Sequence, residues 1–244
     1  MISFTPEQRF IVTGASSGIG EAVALLLNEL GASVIGIARN RERLEAMKAK
    51  AKHPENIFLE QKDLAEDIAN LPVYVKALKE KYGKFQGMAY CAGVGGLQPL
   101  RSVEYENIQK MFAVNYFAPV FMTKGFADKR NNNGKGSAIV CIASNGGVRT
   151  APGMTEYAGS KGALIATMQA IAKELAPSYI RVNCVSPTLI ATDMATDIAR
   201  NFADGKYPMG IGKPEDVANV IAFLLSDKTE WITAQNYIID CGVI

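Results

Sequence analysis

The chain has 244 residues, is 48% hydrophobic and is nearly charge-balanced, with 26 Lys and Arg against 24 Asp and Glu for a net charge of +2. That supplies enough apolar residues for one sizeable core and too little charge to imply a nucleic acid or membrane partner. The only histidine, His53, excludes Ser-His-Asp and Cys-His hydrolases, and the dispersed Cys91, Cys141, Cys184 and Cys241 argue against a disulfide framework or metal site.

No basic-then-apolar leader precedes the first β-like run, Phe10 to Thr13, and no apolar stretch approaches the ~20 residues of a membrane span, so a cytoplasmic protein is expected. The run leads through Thr13-Gly14-Ala15-Ser16-Ser17-Gly18-Ile19-Gly20 straight into a helical pattern that ends at Gly31. Glycines permit a tight turn and close approach of backbone to a ligand. The helix N-terminus adds unpaired N–H groups and partial positive charge, which suits a pyrophosphate. The cofactor contacts expected here are Gly14, Ser16, Ser17, Gly18, Ile19 and Gly20. This segment resembles the nucleotide-binding turn of the single-domain short-chain dehydrogenases/reductases, and the resemblance extends from Arg9 to Gly242.

Ser33 to Ile37 reads as a second strand, followed by Ala38-Arg39-Asn40-Arg41 with no carboxylate before Glu42. An acidic residue at the end of this strand would hold a ribose 2′-hydroxyl, whereas a guanidinium suits a 2′-phosphate. Arg39 is therefore the expected NADP(H) determinant, with Arg41 in support. Beyond a charged helix, Ile57 to Leu59 is a third strand, and Asp63-Leu64 after it resembles the family's adenine-binding pair. A helix near Val73 to Lys81 precedes a fourth strand, Met88 to Tyr90. There the family usually has Asn-Asn-Ala-Gly; this chain has Tyr90-Cys91-Ala92-Gly93, which keeps Ala92 and Gly93 for the cofactor ribose and loses both asparagines.

One long helix is predicted from about Glu104 to Lys129, then a buried strand, Ala138 to Ile142. Ser144 follows it, at the end of the sheet where doubly wound folds bind ligands. Tyr157 stands thirteen residues after Ser144 at the start of a helix predicted over Thr155 to Leu175, and Lys161 is one turn further on the same face. With Asn115 upstream, these residues match the family's Asn-Ser-Tyr-Lys tetrad. Carbonyl reduction by hydride leaves an oxygen that needs a proton. Tyrosine, with a pKa of about 10, can exchange that proton if Lys161 and the oxidised nicotinamide stabilise phenolate. Ser144 would donate to the substrate oxygen. By resemblance Lys161 also holds the nicotinamide ribose and Asn115 positions a relay water.

A sixth strand, Ile180 to Val185, leads to Pro187-Thr188, where the family has Pro-Gly. Pro187, Ile190 and Thr192 match contacts to the nicotinamide end, and Ala191 to Lys206 matches a substrate lid. A helix near Pro214 to Leu225 and a strand, Tyr237 to Ile239, complete the alternation. Together these imply one α/β domain over residues 1–244, a Rossmann-type doubly wound parallel sheet of about seven strands covered on both faces.

The resemblance implies an NADP(H)-dependent oxidoreductase interconverting a small-molecule carbonyl and alcohol, with 3-oxoacyl-carrier-protein reductase as one specific form, and a homo-tetramer or dimer. A non-catalytic nicotinamide-sensing or scaffold protein is the competing class. It would keep the glycine turn and lose Tyr157 or Lys161, and both are present.

Overall fold

In the computed structural model, which describes residues 1–195 and 207–243, seven strands form one all-parallel sheet of order β3-β2-β1-β4-β5-β6-β7. They are β1 (Arg9–Thr13), β2 (Ser33–Ala38), β3 (Ile57–Gln61), β4 (Gly87–Tyr90), β5 (Ala138–Ile142), β6 (Arg181–Pro187) and β7 (Asn236–Ile239). β2, β4, β5 and β6 are buried throughout, which explains their continuous apolar runs rather than an alternation.

Helices α1 (Gly18–Glu29), α2 (Arg41–Ala49) and α7 (Pro214–Leu225) cover one face, meeting Phe10, Val12 and Val34 of the sheet through Val23, Leu44 and Ile221. On the other face lie α3 (Leu71–Tyr82), α4 (Tyr105–Phe112), α5 (Ala118–Ala127) and α6 (Thr155–Leu175), where Val75, Met122 and Leu164 pack on Ile11, Met88 and Ile139. Strand order reverses at β1 and β4, so the carboxyl ends of these strands border the crevice where such sheets bind ligands.

One element departs from the sequence expectation. The helix predicted from Glu104 to Lys129 is broken into α4 and α5 by a π-helical turn, Ala113–Phe117. Pro119 has no N–H to offer the carbonyl of Asn115 four residues earlier, so a regular ladder cannot pass through Asn115. The expected lid lies mostly outside the described residues; only its first part, Ala191 to Ala195, is described.

Arg181 locks the start of β6 to the end of α7. Although buried, its guanidinium donates to the Leu224 carbonyl at 2.7 Å, the Thr229 hydroxyl at 2.8 Å and the Ser226 carbonyl at 3.0 Å. A carbonyl of the last helical turn, which has no partner within the helix, is thereby satisfied. Arg181→Met is expected to destabilise the protein by about 3 kcal/mol or more in urea unfolding, because buried acceptors lose a charged donor. A loss below about 1 kcal/mol would show the linkage to be dispensable.

Candidate active site

The site begins at the end of β1. Gly14 has φ +67°, and a Cβ there would stand 2.9 Å from the Ala92 amide nitrogen, so a side chain is excluded by both conformation and space. The Thr13 hydroxyl oxygen accepts from the Cys91 and Ala92 amides, each at 3.0 Å, and ties the end of β1 to that of β4. Helix α1 opens at Gly18. Its N-cap, Ser17, is extended and forms no side-chain cap, leaving the first N–H groups of the helix to an external acceptor. Ser16, Ser17, Gly18 and Ile19 are half-buried around this opening, and Gly20 packs on the Gly14 carbonyl. The geometry fits a pyrophosphate.

Arg39 follows β2 with an exposed side chain, and its Nη1 lies 3.8 Å from Asp63 Oδ2. The other Asp63 oxygen accepts from the Ala65 amide at 2.9 Å. Leu64 contributes no side chain to this rim, because it is buried in the core beneath. Arg41 is not available as a second phosphate ligand: its Nε donates to Glu45 at 2.9 Å and its Nη1 to the Leu59 carbonyl at 3.1 Å. The i, i+4 spacing to Glu45 draws it along its own helix.

The four residues of the expected tetrad meet at the carboxyl ends of β4 and β5. Asn115, fully buried in the π turn, accepts from the Val94 amide at 2.9 Å and donates to the Val94 carbonyl at 2.9 Å and the Ser160 hydroxyl at 3.0 Å. Lys161, also buried, donates from Nζ to the Ile142 carbonyl at 2.8 Å. A Cβ on Gly93 would stand 3.3 Å from Asn115 Oδ1 and 3.4 Å from Lys161 Nζ, so the gap at Gly93 is bounded by both side chains. Ser144 is buried, with its Oγ accepting from the Gly146 amide at 3.1 Å. The half-buried Tyr157, one helical turn before Lys161, lies near enough to feel the Ser144 hydroxyl.

Beyond β6, the buried Ile190 bridges to Gly212, and its carbonyl accepts from the Thr192 amide at 2.8 Å. The Thr192 methyl comes to 3.0 Å from where a Cβ on Gly18 would stand, which brings this segment over the phosphate turn. Asp193 pairs with Arg43 of α2 at 3.0 Å. Pro187 ends β6 beside Ile239. Thr188, in place of the family glycine, stays out of the left-handed region, so the substitution imposes no backbone strain.

Burial sets the protonation of the pair. It pushes the Tyr157 hydroxyl above the usual tyrosine range, with the Ser144 hydroxyl acting in the opposite sense. It pulls Lys161 down to about 8, while the neighbouring Cys141, Cys184 and Cys91 act to raise it. The Lys161 ammonium is directed to the Ile142 carbonyl.

The departure at Tyr90-Cys91 also has a structural account. The Tyr90 hydroxyl donates at 3.0 Å to the carbonyl of Val114, inside the π turn and next to Asn115. Where the family has asparagines, a phenol reaches from β4 to the π turn and the amides of Cys91 and Ala92 donate to Thr13. The sequence motifs do not single out Tyr90, Thr13 and Ser160 as supports: Tyr90 shows there only as a mismatch, and Ser160 as the position beside Lys161 on α6.

Comparison with known proteins places this arrangement. Residues 14–244 match the family model described as enoyl-(acyl carrier protein) reductase. The chain is 33% identical over 247 residues to a 3-oxoacyl-(acyl-carrier-protein) reductase of Thermotoga maritima, with 96% of each covered. A Burkholderia cenocepacia short-chain dehydrogenase solved with NADP superposes with a TM-score of 0.89 at 30% identity, covering 97% of this chain and 98% of that one. A Brucella melitensis 3-ketoacyl-(acyl-carrier-protein) reductase solved with NADH gives a TM-score of 0.85 at 28% identity, covering 96% and 97%. The chain belongs to the short-chain dehydrogenase/reductase family and is an oxidoreductase of the nicotinamide-dependent, carbonyl–alcohol type.

Two outcomes are expected from this geometry. Tyr90→Phe leaves the Val114 carbonyl without its buried donor and should destabilise the protein by about 1–3 kcal/mol, read by urea unfolding; an unchanged midpoint would remove Tyr90 from the support of the π turn. For Lys161, the folded-state pKa of about 8 lies below the ordinary 10.5, so folding works against its charge. The unfavourable contribution is complete below about 8, where both states are protonated, and vanishes above 10.5, where both are neutral. Lys161→Met should therefore raise the melting temperature at neutral pH, by an amount reflecting roughly 3 kcal/mol, and the advantage should shrink as pH rises toward 10.5. A difference independent of pH would contradict the buried-ammonium account.

Proposed function

We propose that the enzyme uses NADPH to reduce a ketone or aldehyde, and catalyses the reverse oxidation with NADP⁺, with Tyr157 as the proton donor or acceptor. The observation that carries the reading is that Ser144 lies by Tyr157 while Lys161, one helical turn on, bounds the gap at Gly93, at the carboxyl end of the sheet and next to the phosphate turn. When bound, the nicotinamide supplies or accepts the hydride. This chain's residues do the rest. As negative charge develops on the carbonyl oxygen, the Ser144 hydroxyl donates to it and Tyr157 delivers its proton. Burial keeps that proton on Tyr157 in the free enzyme, which suits a donor. Lys161 has three donors and uses one on Ile142, leaving two for ribose hydroxyls at Gly93. The Asn115 side chain donates both amide hydrogens to protein, so a relay water would use the backbone carbonyl that Pro119 leaves unpaired at i+4.

NADP(H) rather than NAD(H) rests on Arg39, a guanidinium at the end of β2 that, among the described residues, is held only by the 3.8 Å approach to Asp63. Reduction of a 3-oxoacyl thioester on an acyl carrier is the narrower form of the same activity. It draws little support from the docking surface, since Arg130 is committed to Asp128 at 2.6 Å and only Lys129 beside it is unpaired among the described residues. A homo-tetramer is the proposed assembly, supported by exposed apolar side chains at Tyr105 and Phe117 on one side and Trp231 and Phe223 on another. Four unpaired cysteines favour a reducing, cytoplasmic setting.

Tyr157→Phe should lower turnover at least 100-fold, on the scale of a lost general acid, while NADPH binding read by fluorescence is retained. Retained turnover would remove Tyr157 from proton transfer. Arg39→Asp should move the NADPH/NADH preference toward NADH by about 100-fold or more, as expected when a charged pair becomes a repulsion; an unchanged ratio would assign the 2′-phosphate elsewhere.

A further inference from the structure

Next to the reacting centre is a cavity of about 280 Å³ whose walls include Gly95, Gln98, Asn107, Lys110, Met111 and Glu156. Glu156 immediately precedes Tyr157 in the first turn of α6, and only 7% of it is exposed. Its Oε1 accepts from the Gln98 side-chain amide, and Gln98 is further fixed by its own amide, which donates to the Gly153 carbonyl at 2.9 Å. Glu156 Oε2 has no partner among the described residues, yet it is not sealed in the interior, so its lone pairs open to the cavity. The first turn of a helix favours a carboxylate, but that alone does not explain one buried at the wall of a groove open to the surface.

Gly95 joins this cavity to the catalytic residues. It lines the cavity, and a Cβ on it would stand 3.7 Å from Tyr157 Cε2 and 3.2 Å from Met194 Sδ. Glycine there leaves a passage from the phenol into the cavity. A substrate whose carbonyl meets Ser144 and Tyr157 can therefore extend its chain past Gly95 toward Glu156.

We propose that this cavity is the specificity pocket for the chain of the substrate, and that Glu156 and Gln98 select a hydroxylated ketone of the ketose class over an alkyl ketone or an acyl thioester. The proposal rests on the carbonyl-reductase reading above. An alkyl chain in this cavity would desolvate the Glu156 carboxylate and give it nothing in return. Hydroxyl groups both donate and accept. They satisfy Glu156 as donors and take hydrogen bonds from Gln98, Asn107 and Lys110 as acceptors. A cationic chain would meet Glu156 favourably but would face Lys110 across the same space. Sites built to hydrogen-bond a substrate hydroxyl reject analogues without it far more strongly than apolar pockets reject a mismatch of size.

The test is steady-state kcat/KM of the NADPH-saturated enzyme for a ketopentose, for methyl propyl ketone of equal chain length, and for an acetoacetyl thioester. Wild type is expected to favour the ketopentose by about 100-fold or more. Glu156→Leu should reduce the ketopentose/alkyl ketone ratio at least about tenfold, and Glu156→Gln, which keeps a hydrogen-bonding group of the same shape, should restore part of it. NADPH fluorescence and circular dichroism confirm that each variant is folded. Preference of wild type for methyl propyl ketone or the thioester, or an unchanged ratio in Glu156→Leu, overturns this inference and leaves carbonyl reduction standing. Bound NADPH with no turnover of any of the three overturns both.

Discussion

The architecture of the active site depends on one buried side chain. Asn115 lies in the core with no access to water, so its amide must find every partner within the protein. It does so by joining three separate segments: its own π turn, the chain leaving β4 at Val94, and α6 through Ser160. The clamp fixes the distance between Gly93 and Lys161, because Ser160 precedes Lys161 and Val94 follows Gly93. Tyr90 and Pro119 support it from outside, one by taking the Val114 carbonyl and the other by preventing a regular helix.

That clamp allows a stability–function conflict to persist. Lys161 is an ammonium group drawn into a region lined by thiols, and burial lowers its pKa to about 8. The same surroundings push the Cys91 and Cys184 thiols up to about 12, so no thiolate offsets its charge near neutrality. A side chain held in this way is unfavourable for folding, while two of its donors are not spent on the protein and lie beside the gap at Gly93. The uncapped start of α1 follows the same logic, with N–H groups that a side chain could have satisfied left for a phosphate.

Most of the fold was legible because its signals are local and periodic. Continuous β-branched runs marked the strands to within a residue or two, and Gly14 and Asn40 stand where turn and cap geometry need them, the Asn40 side chain accepting from the Arg43 amide at 2.9 Å. Ser144, Tyr157 and Lys161 were legible through spacing on a strand end and a helix. What escaped was set by tertiary contact. The break at Ala113–Phe117 was foreshadowed only by Pro119, whose effect reads as a kink or as nothing until Tyr90 is seen to reach Val114. Arg41 and Leu64 looked suited to the cofactor rim, but Glu45 and the core claim their side chains. Glu156 stands in the first turn of α6, where an acid is ordinary, and its relation to Gln98 and the cavity depends on a loop whose path the sequence does not encode by period.

The central claim is that hydride reaches a carbonyl carbon while this chain supplies the proton. The most direct measurement is reduction of an accepted ketone with NADPH deuterated at the transferring position of the nicotinamide, followed by mass spectrometry and NMR of the product. The account predicts one deuterium on the carbinol carbon and a hydroxyl proton drawn from solvent. Deuterium on a carbon outside the former carbonyl group, as reduction of a conjugated double bond would give, or no deuterium in the product, would contradict it.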